Sequence, residues 1–292
     1  MAPEVDVEGQ RLKLSNLDKV LFPGAGFTKG HVIDYYTRVA TALLPHLRGR
    51  ALTLKRYPNG VEGKYFYEKQ RPSHAPDWVR SETIETGDRD IDFVLCDDLP
   101  TLVWLANLAD IEMHPSLALA RKPEQPTVLA FDLDPGEPAA LPECREVALL
   151  LRDTFAGLGL DCVAKTSGSK GMQVYVPLNT PVTYDETKPF AQALAQLLEK
   201  HRPKLIVSSM KKSLRGGKVF IDWSQNSFHK TTVAVYSLRA RERPTVSTPV
   251  TWDEIADDSL DLVFETADVL ERIEQHGDLF AAVLEKRQKL PA

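Results

Sequence analysis

Long apolar runs are missing from this 292-residue chain. No stretch approaches the roughly 18 apolar residues that a bilayer-spanning helix needs. The first ten residues carry neither the basic nor the apolar region of a secretory signal. Cysteine is scarce: Cys96, Cys144 and Cys162 are odd in number and far apart. That spacing excludes a disulfide framework and a cysteine zinc site, and it suggests a reducing, cytoplasmic setting in which each thiol is a small buried hydrophobe. No internal repeat and no low-complexity linker is present. A Walker phosphate loop is missing too, because the Gly-x-x-x-x-Gly-Lys-Ser/Thr spacing does not occur. Positive charge is not in overall excess: the formal net charge is −5.

What is present is ordinary in amount and uneven in arrangement. Hydrophobic residues make up 43% and charged residues 26%, as in a water-soluble globular fold of one large or two moderate domains. Residues 201–250 hold ten Lys/Arg against two Asp/Glu, a net +8, whereas residues 251–292 hold four against eleven, a net −7. This asymmetry suggests a basic groove backed by an acidic, solvated region.

Periodicity places the elements. Thr28 is suited to cap a helix whose stripe is Val32, Ile33, Tyr36, Val39, Ala40, Leu43 and Leu44. Short strands are expected at 51–56 and 65–68, a helix at 99–108 and a strand at 111–114. From Val128 the order reads strand, helix (141–155), strand (162–165), strand (172–176), helix (from 185), strand (205–207 and 219–221). The region after Trp252 reads as helical. A β-α-β-β-α-β order defines an α/β (α+β) fold of the ferredoxin or RNA-recognition type.

Three segments carry chemistry. In Phe131-Asp132-Leu133-Asp134-Pro135-Gly136 the two carboxylates share one strand face, where they repel and lose hydration. A hard divalent cation would reverse that penalty, although Asp-Pro-Gly is also a turn sequence. In residues 165–173, Ser167, Gly168, Ser169, Lys170 and Gly171 form a small-residue turn that would let backbone N–H groups approach an anion, with Lys170 as a point charge. An ordinary hairpin loop is the alternative. Asp222 ends an apolar strand as Asp134 does, and it would add a third carboxylate if the chain returned beside its first strand. Otherwise it caps the next turn. Basic residues surround this point (Lys211, Lys212, Arg215, Lys218, Lys230, Arg239, Arg241, Arg243). Further upstream, Lys55-Arg56-Tyr57 and Lys64-Tyr65-Phe66-Tyr67 interleave cations and aromatics. Such a mixture suits base stacking with phosphate contact, or equally a strand core.

Seven motifs in order make the chain resemble a known family. They are Lys-Val-Leu-Phe-Pro (19–23), Lys-Arg-Tyr-Pro-Asn-Gly-Val (55–61), Phe-Tyr-Glu-Lys-Gln (66–70), Phe-Asp-Leu-Asp-Pro-Gly (131–136), Thr-Ser-Gly-Ser-Lys-Gly (166–171), Phe-Ile-Asp-Trp-Ser-Gln-Asn (220–226) and Tyr-Ser-Leu-Arg (236–239). Together they resemble the polymerase domain of bacterial ligase D, of the archaeo-eukaryotic primase superfamily. The resemblance covers nearly the whole chain. It implies a primase fold in which an RNA-recognition-like catalytic module (about 126–250) packs with an N-terminal α/β module (about 1–125) and C-terminal helices (about 251–292). All of these would form one primase-polymerase domain.

The implied activity is template-dependent nucleotidyl transfer that fills gaps or extends DNA ends in repair, with ribonucleotides favoured. A metal-dependent nuclease or phosphatase and a non-catalytic DNA-binding module are the alternatives. The resemblance assigns two Mn²⁺ or Mg²⁺ ions to Asp132, Asp134 and Asp222. It assigns the nucleoside triphosphate to His114, Ser167, Lys170, Gly171, Gln173, Gln225 and Arg239. It assigns the 5′-phosphate of downstream DNA to Lys19 and Lys29, and template bases to Phe66 and Tyr67 beside Lys55 and Arg56. It points to DNA, a separate DNA ligase and the Ku end-binding protein as partners, to no membrane, and to a nucleoid-associated location. Two departures stand out: Gln173 occupies a position where the family usually has His, and the stretch from His114 to the catalytic strand looks short. The ligase and nuclease modules of ligase D are not in this sequence, which suggests a stand-alone enzyme.

Overall fold

The structure is a computed structural model that describes residues 3–291. It divides into two compact units. The first comprises Met1–Ser116, Val233–Ser247 and Phe264–Gly277. It opens with an antiparallel hairpin of β1 (Glu4–Val7) and β2 (Gln10–Lys13), turned by Glu8 and Gly9 at φ 48° and 83°. Two positive φ values in succession are what a tight hairpin turn requires. β3 (Val20–Phe22) and β4 (Phe27–Thr28) lead into α1 (Lys29–Leu47). The expected Thr28 cap is present. Its hydroxyl accepts from His31 N at 3.3 Å while its own N–H donates to His31 Nδ1 at 3.0 Å, which satisfies two of the orphan donors at the helix start.

The centre of this unit is a three-stranded antiparallel sheet. In it β5 (Leu52–Arg56) lies between β6 (Phe66–Glu68) and β9 (Asp110–Pro115). Between β6 and β9 come the hairpin β7 (Ser81–Glu85)/β8 (Asp90–Val94) and α2 (Leu99–Asn107), which packs on α1. The returning segment 233–247 is pinned to β9. Ala234 N donates to Met113 O at 2.9 Å, and Met113 N donates to the Ser237 hydroxyl at 3.1 Å. The buried Tyr36 hydroxyl donates to Ile111 O at 2.6 Å and accepts from Leu238 N at 3.1 Å. These bonds carry Arg239 to the face of β9.

The second unit comprises Leu117–Thr232, Thr248–Val263 and Asp278–Ala292. Its strands are β10 (Val128–Pro135), β11 (Val163–Thr166), β12 (Met172–Pro177), β13 (Ile206–Val207), β14 (Val219–Asp222) and β15 (Pro249–Val250), with α3 (Leu141–Gly157) after β10 and α4 (Tyr184–His201) after β12. The sheet order is β13-β14-β10-β12-β11-β15. The four strands β14-β10-β12-β11 give the ferredoxin-like arrangement expected from the sequence; β13 and β15 extend its two edges. Short helices α5 (Trp252–Ala256) and α7 (Ala282–Glu285) complete this unit, while α6 (Thr266–His276) belongs to the first unit and packs on α1.

Strand alternation sorts β10 cleanly. Phe131 and Leu133 are fully buried on the face covered by α3, where Phe131 meets Phe155 at 5.4 Å between ring centroids. Asp132 is partly buried and Asp134 exposed on the other face. Two glycines allow loops to close on the end of this strand. A Cβ at Gly136 would lie 2.1 Å from Arg215 O, and one at Gly171 would lie 2.0 Å from Leu133 O. Backbone atoms cannot yield as a side chain does. Gly136→Ala should therefore lower stability by roughly 1–3 kcal/mol, read as a reduced urea midpoint at unchanged slope. Gly157→Ala, at the end of α3 with no atom within 4 Å of the added Cβ, should stabilise by about 0.4–1 kcal/mol. Equal effects at the two positions would contradict the close-packing account.

Candidate active site and anion-binding face

The second unit builds its polar face as a row across four strands. Lys165 is in register with Gln173, Gln173 with Asp132, and Asp132 with Asp222. Directly opposed residues in a sheet share a face, so the register brings two of the three predicted carboxylates side by side, with Asp134 two positions along. Gln173 Nε2 donates to Asp132 Oδ1 at 3.0 Å, and Gln173 Oε1 accepts from the Tyr175 hydroxyl at 3.0 Å. The Tyr175 hydroxyl also lies 2.9 Å from the Thr232 hydroxyl, so the amide orientation of Gln173 is fixed from behind. Asp222 Oδ1 accepts from Ser224 N at 3.0 Å and from the Ser224 hydroxyl at 2.6 Å, while Oδ2 accepts from Gln225 Nε2 at 3.0 Å. Asp222 therefore caps its own turn and also faces Asp132. Where β14 ends, the buried Asn226 takes over its pairing: its amide donates to Ala130 O at 2.7 Å and accepts from Ala130 N at 2.9 Å.

The electrostatics follow from this register. Burial, then the charges of Asp134 and Asp222, pushes the Asp132 carboxyl up to about 7. Such a site is short of positive charge. Among the described residues no group of three or more His, Cys, Asp or Glu side chains is drawn together as a ready metal cage. The fit to a cation thus rests on the donor chemistry, hard carboxylate oxygens whose mutual repulsion a divalent ion would relieve.

The small-residue loop follows β11. Ser167 N donates to Gly171 O at 2.9 Å, and the Ser167 hydroxyl accepts from Ser169 N at 3.2 Å and Gly171 N at 3.1 Å, with Gly168 at φ 66°. Lys170 is exposed and pairs with the exposed Glu137 at 2.8 Å. A solvated pair of this kind contributes little and is readily exchanged for a phosphate.

The first unit gathers the other predicted residues. Lys55 faces Tyr67 across β6 and Glu112 across β9. Its ammonium lies 5.4, 4.8 and 5.6 Å from the rings of Tyr57, Tyr65 and Tyr67. Arg56 pairs with Glu68 at 2.7 Å, with its guanidinium 5.1 Å from the Phe66 ring. Tyr65, Phe66 and Tyr67 are 53%, 42% and 58% exposed, which for large aromatics is costly without a partner. His114 and Arg239 converge on Glu112, at 3.1 Å and 3.4 Å. Lys19 Nζ donates to Asn59, and Lys29 Nζ to Ser15; the two lysines are joined by Lys29 N to Lys19 O at 2.8 Å. Burial, with Lys19 and Arg56 near, lowers Lys29 to about 8.

Sequence reasoning missed Glu112, Asn226, Tyr175 and Lys165. Glu112 had a signal, since Asp110-Ile111-Glu112-Met113-His114 alternates polar and apolar residues. The basic set of 211–243 is divided, with Arg239, Arg241 and Arg243 in the first unit and the five preceding cations in the second.

The second unit thus presents a ferredoxin-like sheet with aspartates on its first and fourth strands and a Gly/Ser loop between its second and third. Residues 28–280 match the family described as LigD, primase-polymerase domain. The multifunctional non-homologous end joining protein LigD of Mycolicibacterium smegmatis is 44% identical over 275 residues, covering 93% of this chain and 36% of that protein. The bifunctional LigD of Bacillus subtilis is 32% identical over 268 residues, covering 91% of this chain and 43% of that protein. A solved structure, the polymerase domain from Mycobacterium tuberculosis ligase D in complex with DNA, superimposes with a TM-score of 0.90 at 41% identity, covering 96% of this chain and 100% of that one. The chain belongs to the LigD primase-polymerase domain family, a family of nucleotidyltransferases. It spans less than half the length of each of the two LigD proteins. Among the described residues no helix is long and apolar enough to cross a membrane.

The charge crowding at Asp132 is testable without any nucleotide. A carboxyl raised in the folded state costs stability once the unfolded chain would ionise it. Asp132→Asn should therefore melt higher than the parent in chelator at pH 8, by roughly 2–4 °C for each kcal/mol relieved. The gain should shrink as pH falls from about 7 towards 3.8 and be absent below that. A variant no more stable at pH 8 than at pH 4 would count against the repulsion.

Proposed function

We propose that this chain acts as one primase-polymerase domain that adds nucleotides to DNA ends or short gaps during non-homologous end joining, favouring ribonucleotides, with Ku and a DNA ligase as partners. The observation that carries the reading is the register pair Asp132–Asp222 with Asp134 beside it, a concentration of carboxylate that a folded core does not tolerate without a cationic task.

Polymerases of this family use divalent cations and nucleoside triphosphates. Asp132, Asp134 and Asp222 would hold two such cations, which when bound supply Lewis-acid activation of a 3′-hydroxyl and neutralise the leaving phosphates. The chain's own residues do the positioning. Gln173 presents Asp132 in one orientation, held by Tyr175 and Thr232. Ser167 keeps the 167–171 loop closed through Ser169 N and Gly171 N, and Lys170 exchanges Glu137 for phosphate. Gln225, whose Oε1 is buried and unpartnered, has an acceptor left over for a nucleotide hydroxyl. His114 and Arg239 receive triphosphate charge. Lys29, the first residue of α1, and Lys19, whose carbonyl accepts from Lys29 N, receive a 5′-phosphate, where helix dipole and lysine charge act together. Phe66 and Tyr67 stack on template bases beside Lys55 and Arg56. A relative solved in complex with DNA supports DNA as a partner.

Primer extension on a gapped duplex with Mn²⁺ or Mg²⁺ tests the reading. Asp132→Ala with Asp134→Ala should reduce extension on the order of 10³-fold, and ribonucleotides should outcompete deoxyribonucleotides. Cleavage of labelled DNA without nucleotides, in place of extension, would overturn it. Binding of DNA with and without a 5′-phosphate tests the lysines. A phosphate restores charge to Lys29, so the phosphate-dependent part of the affinity should fall as pH rises through about 8 and should vanish in Lys29→Ala. Phe66→Ala should weaken binding by about 1–3 kcal/mol whether or not the phosphate is present.

A further inference from the structure

Glu112 has no task in the reading above, yet it is among the most heavily partnered side chains of the first unit. It is 2% exposed. Its Oε2 meets Lys55 Nζ at 3.2 Å, His114 Nε2 at 3.1 Å and Arg239 Nε at 3.4 Å. Its Oε1 accepts from Ala240 N at 3.0 Å and from the Tyr57 hydroxyl at 3.5 Å. A buried carboxylate needs compensation, but one cation and two hydrogen bonds would suffice. Here two permanent cations and an imidazole converge on a single negative charge from β5, β9 and the 233–247 segment. Lys55 and Arg239 together carry more charge than the one carboxylate they share.

We propose that Glu112 is the positioning residue that sets Lys55, His114 and Arg239 as one preformed anion-receiving face, and that it lets His114 receive triphosphate as the imidazolium. This rests on the reading that His114 and Arg239 contact the triphosphate. The protonation follows from hydrogen-bond chemistry. His114 spends Nε2–H on Glu112, which in a neutral ring leaves Nδ1 as an acceptor, and an acceptor cannot hold a phosphate oxygen. Uptake of one proton at Nδ1 converts it into a donor, and the resulting imidazolium lies between carboxylate and phosphate with negative charge on both sides. In the free chain burial, with Arg239 and Lys55 near, keeps His114 below its ordinary value in spite of Glu112. Burial alone would raise Glu112, but His114, Arg239 and Lys55 outweigh it and hold it ionised. Around the cluster, Tyr57 and Tyr67 are pushed up and stay neutral, and Tyr65 lies against Lys55; burial pushes the neighbouring Asp110 carboxyl up as well. The triphosphate therefore brings a proton with it, and affinity weakens as pH rises above the free-chain value of His114.

Calorimetric titration of the full chain with ATP at pH 8, in Tris and in HEPES, reads proton uptake from the difference in heat between the buffers. The parent should take up protons on binding ATP. Glu112→Gln, which keeps the size but puts an NH2 donor in place of one acceptor oxygen, should bind about ten-fold more weakly and take up almost none, and the KM for nucleotide should rise with kcat little changed. His114→Gln should also lose the uptake, and it decides the matter if Glu112→Gln does not fold. Parent-like affinity and uptake in Glu112→Gln, or uptake that persists in His114→Gln, would overturn the inference. A parent that binds ATP without proton uptake would overturn it and leave the polymerase reading standing; a parent that binds no ATP would overturn both.

Discussion

Asp132 is held between Asp222 on one neighbouring strand and Gln173 on the other, and the second unit is built around keeping that register. A slip of one residue would turn every side chain of β10 over, placing Phe131 and Leu133 on the polar face and both aspartates against α3. Several devices oppose the slip. Gly136 and Gly171 let the 215–218 and 167–171 loops lie against backbone at the end of β10. Asn226 continues the pairing to Ala130 beyond the last residue of β14. The chain Gln173–Tyr175–Thr232 fixes Asp132 from the side. Each costs the sequence a choice of residue, and together they hold like charges close enough to disfavour the ionised form of Asp132.

The two units treat charge in opposite ways. Around Asp132 negative charge is gathered and under-compensated, and Asp132 itself is pushed towards neutrality. Around Glu112 one buried negative charge is over-compensated by Lys55, Arg239 and His114 and is held ionised. Both arrangements are expensive in a folded core, and under the proposed function a cation would relieve the first and a polyphosphate the second. Substitutions that relax either one are therefore expected to trade activity for stability.

Much of the second unit was legible in the sequence because its signals are local. Apolar runs of four to eight residues gave the strands and a 3.6-residue stripe gave α3; in the first unit the same kind of stripe gave α1, and Thr28 marked its start. The order β-α-β-β-α-β then named the sheet. Less legible were the β1/β2 and β7/β8 hairpins, whose strands are short and mostly polar, and β15, two residues long. Asp222 stood as turn cap or third carboxylate, and it is a cap that also faces Asp132. Gln173 was singled out as a departure from its family; its amide is engaged by Asp132 and Tyr175 within the sheet.

The sequence by itself determined the family, the strand faces and the identity of the charged residues, because alternation, capping and motif order are properties of neighbours along the chain. Only the tertiary structure decided which of those residues meet. Asp132 meets Asp222 because β14 returns beside β10, and Arg239 meets Glu112 because Tyr36 and Ser237 pin the 233–247 segment to β9. Those contacts join residues about a hundred positions apart. Their cost in chain entropy is met by the whole fold, and no local pattern encodes them.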